Sequence, residues 1–291
     1  MRSFLFVPGD SPRKFAKASA TGADALILDL EDSVAPEGKA EARARVLEML
    51  AAPRRQAVFV RVNALDTGLA PLDLAAVMPG RPDGIVLPKC EGPEQVRQLS
   101  GALDLAEALQ DPVGSSIGAT PVLAIVTETA ESVRALAASS YREAGPRLWG
   151  MMWGGEDLAA SLGAGANRSG GRYHDPFLLA RNLCLVAAAA AGVEAIDTIA
   201  ADIGDLTAVE AEAREARRDG FTGKAVIHPN HVDAVNAAFT ASDEELAWAR
   251  TVCEAFANKP GAGVVKLNGK MVDKPHLRAA ERVLARSPSG R

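Results

Sequence analysis

Phe4-Leu5-Phe6-Val7-Pro8-Gly9-Asp10-Ser11-Pro12 is the stretch on which the fold turns. Four apolar residues without polar alternation read as a strand buried on both faces, the signature of a parallel sheet. The loop after this strand separates the two parallel architectures. An open, doubly wound sheet usually carries a glycine-rich phosphate loop after its first strand. Here the loop is Pro8-Gly9-Asp10-Ser11-Pro12, with no GxGxxG. That favours a closed (β/α)₈ TIM barrel.

Seven further apolar segments repeat the pattern: Ala25–Leu30, Val58–Val62, Gly84–Pro88, Val122–Thr127, Leu148–Met152, Ala195–Ile199 and Ala225–His228. Amphipathic stretches lie between them, at 36–50, 93–109, 130–138, 175–191 and 206–219 among others. Thr207 and Glu210 have capping-box spacing at the start of the last. Eight strand–helix repeats in 291 residues fit one barrel. After Ala257 the pattern changes. Asn258-Lys259-Pro260-Gly261-Ala262-Gly263 reads as a linker. Val264–Leu267 reads as a short strand, Asn268-Gly269 as a tight turn, and a helix is expected to run to Arg286. The expected division is a barrel over 1–257 and a C-terminal hairpin–helix extension over 258–291. Such an extension is suited to cover the mouth of its own or a neighbouring subunit, with 287–291 frayed.

A net charge of −5 gives no electrostatic footprint for nucleic acid or anionic lipid. The three cysteines, Cys90, Cys184 and Cys253, are odd in number and widely spaced, so reduced thiols are expected rather than disulfides or a zinc cluster. The apolar run near Met1 is too short for a signal peptide, and the alanine run 187–191 is far too short to span a bilayer. The reading is a cytoplasmic protein.

Residues just past the strand ends of a barrel share one mouth. Glu128 closes the fifth apolar run and Asp157 comes after the sixth, with no Cys or His beside them. Two such carboxylates suit a hard, oxygen-preferring cation such as Mg²⁺. The alternative is that they pair with Arg61 and Lys89 and bind nothing, and Glu156 competes with Asp157 as the ligand. Arg61 ends the third run and is suited either to a carboxylate or developing oxyanion, or to a structural ion pair. Asp29, Glu31 and Asp32 close the second run and could orient Arg61 or hold their loop. No GxSxG elbow is present, which disfavours nucleophilic hydrolysis.

These blocks together resemble the citrate lyase β-subunit and malyl-CoA (citramalyl-CoA) lyase family, within the HpcH/HpaI aldolase superfamily. The matching segments are Ser3–Gly9, Asp24–Pro36, Val60–Asn63, Asp83–Lys89, Thr127–Ala130, Gly154–Leu158, Gly223–Pro229 and Met271–His276. Each is modest alone, but their order and spacing are specific and cover nearly the whole chain. The resemblance implies a Mg²⁺-dependent barrel that breaks or forms a C–C bond between a CoA thioester and a 2-oxo acid. It implies Glu128 and Asp157 as metal ligands, and Arg61 as the group that holds substrate and stabilises the thioester enolate. Asp273 would be an acid/base residue delivered from an adjacent subunit of a trimer or larger homo-oligomer. The backbone N–H groups of the Gly155-Glu156-Asp157 segment would cradle the oxo-acid carboxylate. The family pattern there is closer to Phe-Gly-Ala-Glu-Asp, whereas this chain has Trp153-Gly154-Gly155-Glu156-Asp157. That leaves substrate identity open.

CoA phosphates call for a basic rim. Arg13 and Lys17 at the first helix, and Lys224 near the last strand, are the candidates. A lyase that also hydrolyses the product thioester, giving malate-synthase-like activity, stays open, as do two other readings. One is a subunit that needs an acyl-carrier partner, as the citrate lyase β-subunit does. The other is a CoA-independent aldolase of free 2-oxo acids.

Overall fold

The computed structural model describes residues 1–111 and 114–287. Contacts divide these into two compact units, Met1–Phe239 and a second from Thr240 onward. In the first, eight parallel strands close into a barrel in the order β1-β10-β9-β6-β5-β4-β3-β2. In chain order, the elements of this unit are β1 (Ser3–Pro8), α1 (Pro12–Ser19), β2 (Ala25–Asp29), α2 (Lys39–Ala51), β3 (Ala57–Arg61), α3 (Ala70–Val77), β4 (Gly84–Leu87), α4 (Pro93–Gln110), β5 (Val122–Ile125), α5 (Ala130–Ala138) and β6 (Leu148–Met152). They continue with α6 (Glu156–Leu162), β7 (Arg168–Ser169), β8 (Arg172–Tyr173), α7 (Asp175–Ala191), β9 (Glu194–Asp197), α8 (Leu206–Asp219), β10 (Gly223–Val226) and α9 (His231–Phe239). All eight barrel strands coincide with the apolar runs of the sequence to within two or three residues.

The strands are apolar throughout because both faces are covered. Phe4, Ile27, Phe59, Val86, Leu123, Ile125, Met152, Ile196 and Ala225 point inward and fill the barrel. Their neighbours, such as Leu26, Leu28, Val58, Val60, Ile85 and Leu87, pack outward beneath the helices. Period-two alternation therefore separates two apolar sets rather than an apolar and a polar one. Continuing the inward set one step brings Asp29 and Arg61 to the C-terminal rim, where they are partners in register between β2 and β3.

At the opposite end, Arg147 closes a buried polar knot. Its guanidinium donates to Glu107 at 2.5 and 3.0 Å, to Asp104 at 2.5 Å and to the Thr120 carbonyl at 2.9 Å. Burial alone would raise the Glu107 pKa, but Arg147 and the Gly118 and Thr120 N–H groups outweigh it and bring it down to about 2. A depressed carboxylate contributes stability that is present above its unfolded pKa of roughly 4.3 and is lost as pH falls toward about 2. Arg147→Met should destabilise by about 3–5 kcal/mol, because Glu107 keeps its burial and loses its cation. It should also flatten the acid limb between roughly pH 4.3 and 2, which urea unfolding at several pH values would read.

The second unit contains α10 (Asp243–Ala257), β11 (Val264–Leu267), β12 (Lys270–Asp273) and α11 (Lys274–Ala285). β11 and β12 pair antiparallel across Asn268-Gly269, both with positive φ (48° and 78°), as a two-residue primed turn requires. The units divide at Phe239/Thr240, ahead of the linker at 258–263, because α10 supplies part of the second core. Ala249, Val252 and Phe256 pack with Val265, Val272 and Ala280. One local expectation is corrected. The α8 cap is Asp205, whose side chain accepts from the Ala208 N–H, rather than Thr207; capping boxes fall instead at Ser242 and Glu245 on α10 and at Asp273 and His276 on α11. The β7–β8 hairpin had no counterpart in the sequence reading. The frayed end expected at 287–291 lies, beyond Ser287, outside the described residues.

Candidate active site

A cavity of about 720 Å³ opens at the C-terminal ends of the barrel strands. Its floor is apolar, with Ile125, Met152, Ile199 and Ala225, and its rim is charged, with Asp29, Arg61, Glu128, Glu156 and Asp157. Arg61, Glu128, Gly155, Glu156 and Asp157, candidates from the sequence, all line this cavity.

Arg61 is held from two sides. Nε and Nη2 each donate at 2.7 Å to one oxygen of Asp29, a bidentate pair between register partners, and Nη1 lies 2.7 Å from Glu31. The guanidinium also sits over the Phe6 ring, 5.1 Å from its centroid. Burial works against the Arg61 charge, but Asp29 and then Glu31 more than restore it, so Arg61 stays protonated throughout the accessible pH range. Asp29 is correspondingly held below the usual carboxylate range: burial raises it and Arg61 more than offsets that. The Lys89 ammonium pairs with Glu31, and with Asp32 at 3.1 Å.

These pairings commit Asp29 and Glu31, whereas Glu128 and Asp157 have no close cationic side chain. Glu128 is buried. Its Oε2 accepts the Lys89 backbone N–H at 2.6 Å, while Oε1 is 4.0 Å from Arg61. Burial pushes the Glu128 carboxyl up to about 8; Arg61 pulls it down, while Glu31 and Asp157 add repulsion. Burial therefore outweighs the attraction of Arg61, and a bound cation would offset it. Asp157 stands half-buried in the first turn of α6 with no hydrogen bond or ion pair of its own among the described residues.

The loop that carries Asp157 is fixed at both ends. Thr127 Oγ1 donates to the Gly154 carbonyl at 2.9 Å and accepts its N–H at 2.8 Å, joining the ends of β5 and β6. The Trp153 indole is buried and donates to Asp197 Oδ1 at 2.6 Å. Its ring packs edge-on against Tyr173 of the β7–β8 hairpin, at 4.9 Å. A Cβ at Gly155 would lie 3.3 Å from Trp153 and 3.4 Å from Tyr173, so this close approach suits glycine. Glu156 is exposed and accepts from Asn167 at 2.8 Å.

The basic candidates fare differently. Lys17 lines the cavity together with Lys14, three residues earlier on α1, whereas Arg13 is exposed and is not among the lining residues. Lys224 is corrected from rim to core. It is buried, with Nζ 2.7 Å from both Asp197 Oδ2 and the Thr198 carbonyl, and is the register partner of Asp197. It braces Trp153 through Asp197 and is not among the residues that line the cavity. Asp273 caps α11 in the second unit, where His276 Nδ1 lies 2.5 Å from its carboxylate. That hydrogen bond holds the Asp273 carboxyl below its usual range.

The open donors fit a hard divalent cation of the Mg²⁺ type. Both are carboxylate oxygens that face the cavity, the donor type such a cation prefers. Among the described residues no group of three or more His, Cys, Asp or Glu converges to enclose a metal. An open two-carboxylate site, completed by water and substrate, is the form Mg²⁺ commonly takes.

A closed barrel that gathers a buried guanidinium and unspent carboxylates at the C-terminal mouth has the layout of an enzyme. The chain belongs to the HpcH/HpaI aldolase/citrate lyase family, whose model matches residues 2–229. It is 39% identical to a citrate lyase subunit beta-like protein of Mycobacterium tuberculosis, over 98% of this chain and 94% of that one. It is 33% identical to the mouse mitochondrial citramalyl-CoA lyase, over 99% of this chain and 86% of the relative. The crystal structure of Mycobacterium tuberculosis CitE in complex with magnesium, acetoacetate and coenzyme A superposes with a TM-score of 0.78 at 36% identity, covering 98% and 97% of the two chains. Among the described residues, no helix is long and apolar enough to cross a membrane.

Proposed function

We infer that this chain is a Mg²⁺-dependent carbon–carbon lyase that splits a 3-hydroxyacyl-CoA, of the citramalyl-CoA or malyl-CoA type, into an acyl-CoA and a 2-oxo acid, or runs the reverse condensation. One observation carries the reading: Arg61 and Lys89 are committed to Asp29, Glu31 and Asp32, while Glu128 Oε1, 4.0 Å from Arg61, and Asp157 face the cavity without a close partner. This is the choice the sequence left open. The relative crystallised with magnesium, acetoacetate and coenzyme A supports magnesium as the cation.

Glu128 and Asp157 would hold Mg²⁺, which when bound supplies Lewis-acid stabilisation of charge on the oxo-acid oxygens. The Gly155-Glu156-Asp157 backbone at the start of α6 would orient the oxo-acid carboxylate. Arg61 cannot lose its proton and is aimed by Asp29 and Glu31, so it presents a fixed positive partner for the thioester enolate oxygen. Lys14 and Lys17 would meet CoA phosphates. Asp273, reaching the mouth from a neighbouring copy in a trimer or hexamer, would take the α-proton in condensation and return it in cleavage.

Asp273→Asn tests that last assignment. Asparagine keeps a good helix cap, so α11 should remain folded while turnover falls by about 10²–10⁴-fold. Equal volumes of Asp273→Asn and Asp157→Ala protein, co-refolded, should recover part of the activity if the two residues meet across subunits. For the lyase reading as a whole, EDTA should abolish release of 2-oxo acid from the CoA ester, and added Mg²⁺ should restore it. Release only after an acyl-carrier protein is supplied would favour the carrier-dependent subunit. Cleavage of free hydroxy-oxo acids without CoA would favour the aldolase.

A further inference from the structure

We propose that Lys89 is a positioning residue whose left-handed backbone, rather than its ammonium, aims an N–H at Glu128 and so sets that carboxylate to receive a cation. The inference rests on Glu128 being a cation ligand. β4 ends at Leu87, in register with Ala124 of β5. Pro88 has no N–H to offer, and Cys90 returns to the sheet by donating to the Ile125 carbonyl at 3.0 Å. Between these fixed points Lys89 takes φ of +50°. That conformation turns its N–H out of the strand ladder to 2.6 Å from Glu128 Oε2, leaving Oε1 for a ligand. Side chains other than glycine rarely adopt it, and residues held there by their surroundings cluster at functional sites. A charge-assisted N–H···carboxylate bond fixes orientation well, and groups that orient metal ligands are worth roughly 10–100-fold in affinity.

The side chain does something separate. Its ammonium pairs with Glu31 and Asp32, and Glu31 in turn pairs with Arg61. As a positive charge beside the acids of the mouth, it opposes cation binding.

The two contributions come apart in a titration of purified full-length protein with Mn²⁺, followed by calorimetry, on wild type, Lys89→Gly, Lys89→Val and Glu128→Gln, with thermal melts to establish folding. Lys89→Gly loses the ammonium but takes positive φ without penalty. It should bind Mn²⁺ as tightly as wild type or more tightly. Lys89→Val also loses the ammonium, and its branched side chain resists positive φ. It should bind about 10–100-fold more weakly. If the valine variant does not fold, Lys89→Ala takes its place and should still bind more weakly than Lys89→Gly. Equal weakening in the glycine and valine variants would assign the role to the ammonium and overturn the proposal, as would wild-type affinity in Lys89→Val. Binding by wild type that is lost in Glu128→Gln establishes the ligand independently of Lys89. No Mn²⁺ binding by wild type would overturn both.

Discussion

Asp157→Ala is expected to lower kcat/KM for 2-oxo acid release by on the order of 10³-fold or more, with little change in thermal stability. Lewis-acid stabilisation of a developing oxygen charge is worth several kcal/mol, and roughly 1.4 kcal/mol is a factor of ten in rate. Asp157 is half-buried in the first turn of a short helix and makes no internal hydrogen bond or ion pair among the described residues. Its removal therefore leaves no buried partner stranded. Glu128→Gln should match the loss of rate and differ in stability. Burial already pushes the Glu128 carboxyl up to about 8, so in the metal-free protein the ionised form is disfavoured at neutral pH. A neutral amide at this site avoids that cost and should leave the apo protein as stable as wild type or more so. With folded-state pKa raised, the ionisation of Glu128 opposes folding as pH rises from the unfolded value of roughly 4.3 through about 8. Stability measured without metal should therefore decline over that window, and Glu128→Gln should remove this part of the decline.

Arg61→Met should fail on both counts. Loss of a preorganised donor to an enolate or oxyanion costs roughly 10²–10³ in rate. The same substitution strands buried Asp29 and leaves buried Glu31 with Lys89 alone. Removing one partner of a buried ion pair typically costs about 3–5 kcal/mol. Arg61→Lys should recover part of the stability but little of the rate. An ammonium cannot reproduce the bidentate bond to Asp29 together with the contact to Glu31. Chemical denaturation alongside initial rates would separate the two effects. Double replacement with Asp29→Asn should return some stability without returning activity.

The barrel was legible because parallel strands buried on both faces leave near-continuous apolar runs, and all eight were visible as such. The C-terminal hairpin was legible from Asn268-Gly269, whose two positive φ angles the turn demands. The β7–β8 hairpin was not, since two-residue strands carry no periodicity. In the site, position along the chain located the acids but could not say which were spent. That depends on register: Asp29 lies opposite Arg61 and Lys224 opposite Asp197. A lysine in an apolar strand reads equally well as a ligand group or as half of a buried pair, and only the neighbouring strand decides for the pair. On α1 the basic residues differ by helical phase. Phe15 and Ala18 face the core, Lys14 and Lys17 line the cavity, and Arg13 falls outside it. The spacing of three between Lys14 and Lys17 was the available signal. The left-handed turn at Lys89 had none, because no glycine or asparagine marks it.

Product analysis with (citra)malyl-CoA, tracking acyl-CoA and 2-oxo acid together, with and without Mg²⁺, decides whether the chain is a carbon–carbon lyase. Equimolar release of acyl-CoA and pyruvate or glyoxylate, dependent on Mg²⁺ and absent in Asp157→Ala, is the predicted result; the faster ester identifies the oxo acid. No release from any CoA ester, by protein that still binds the metal, would contradict it.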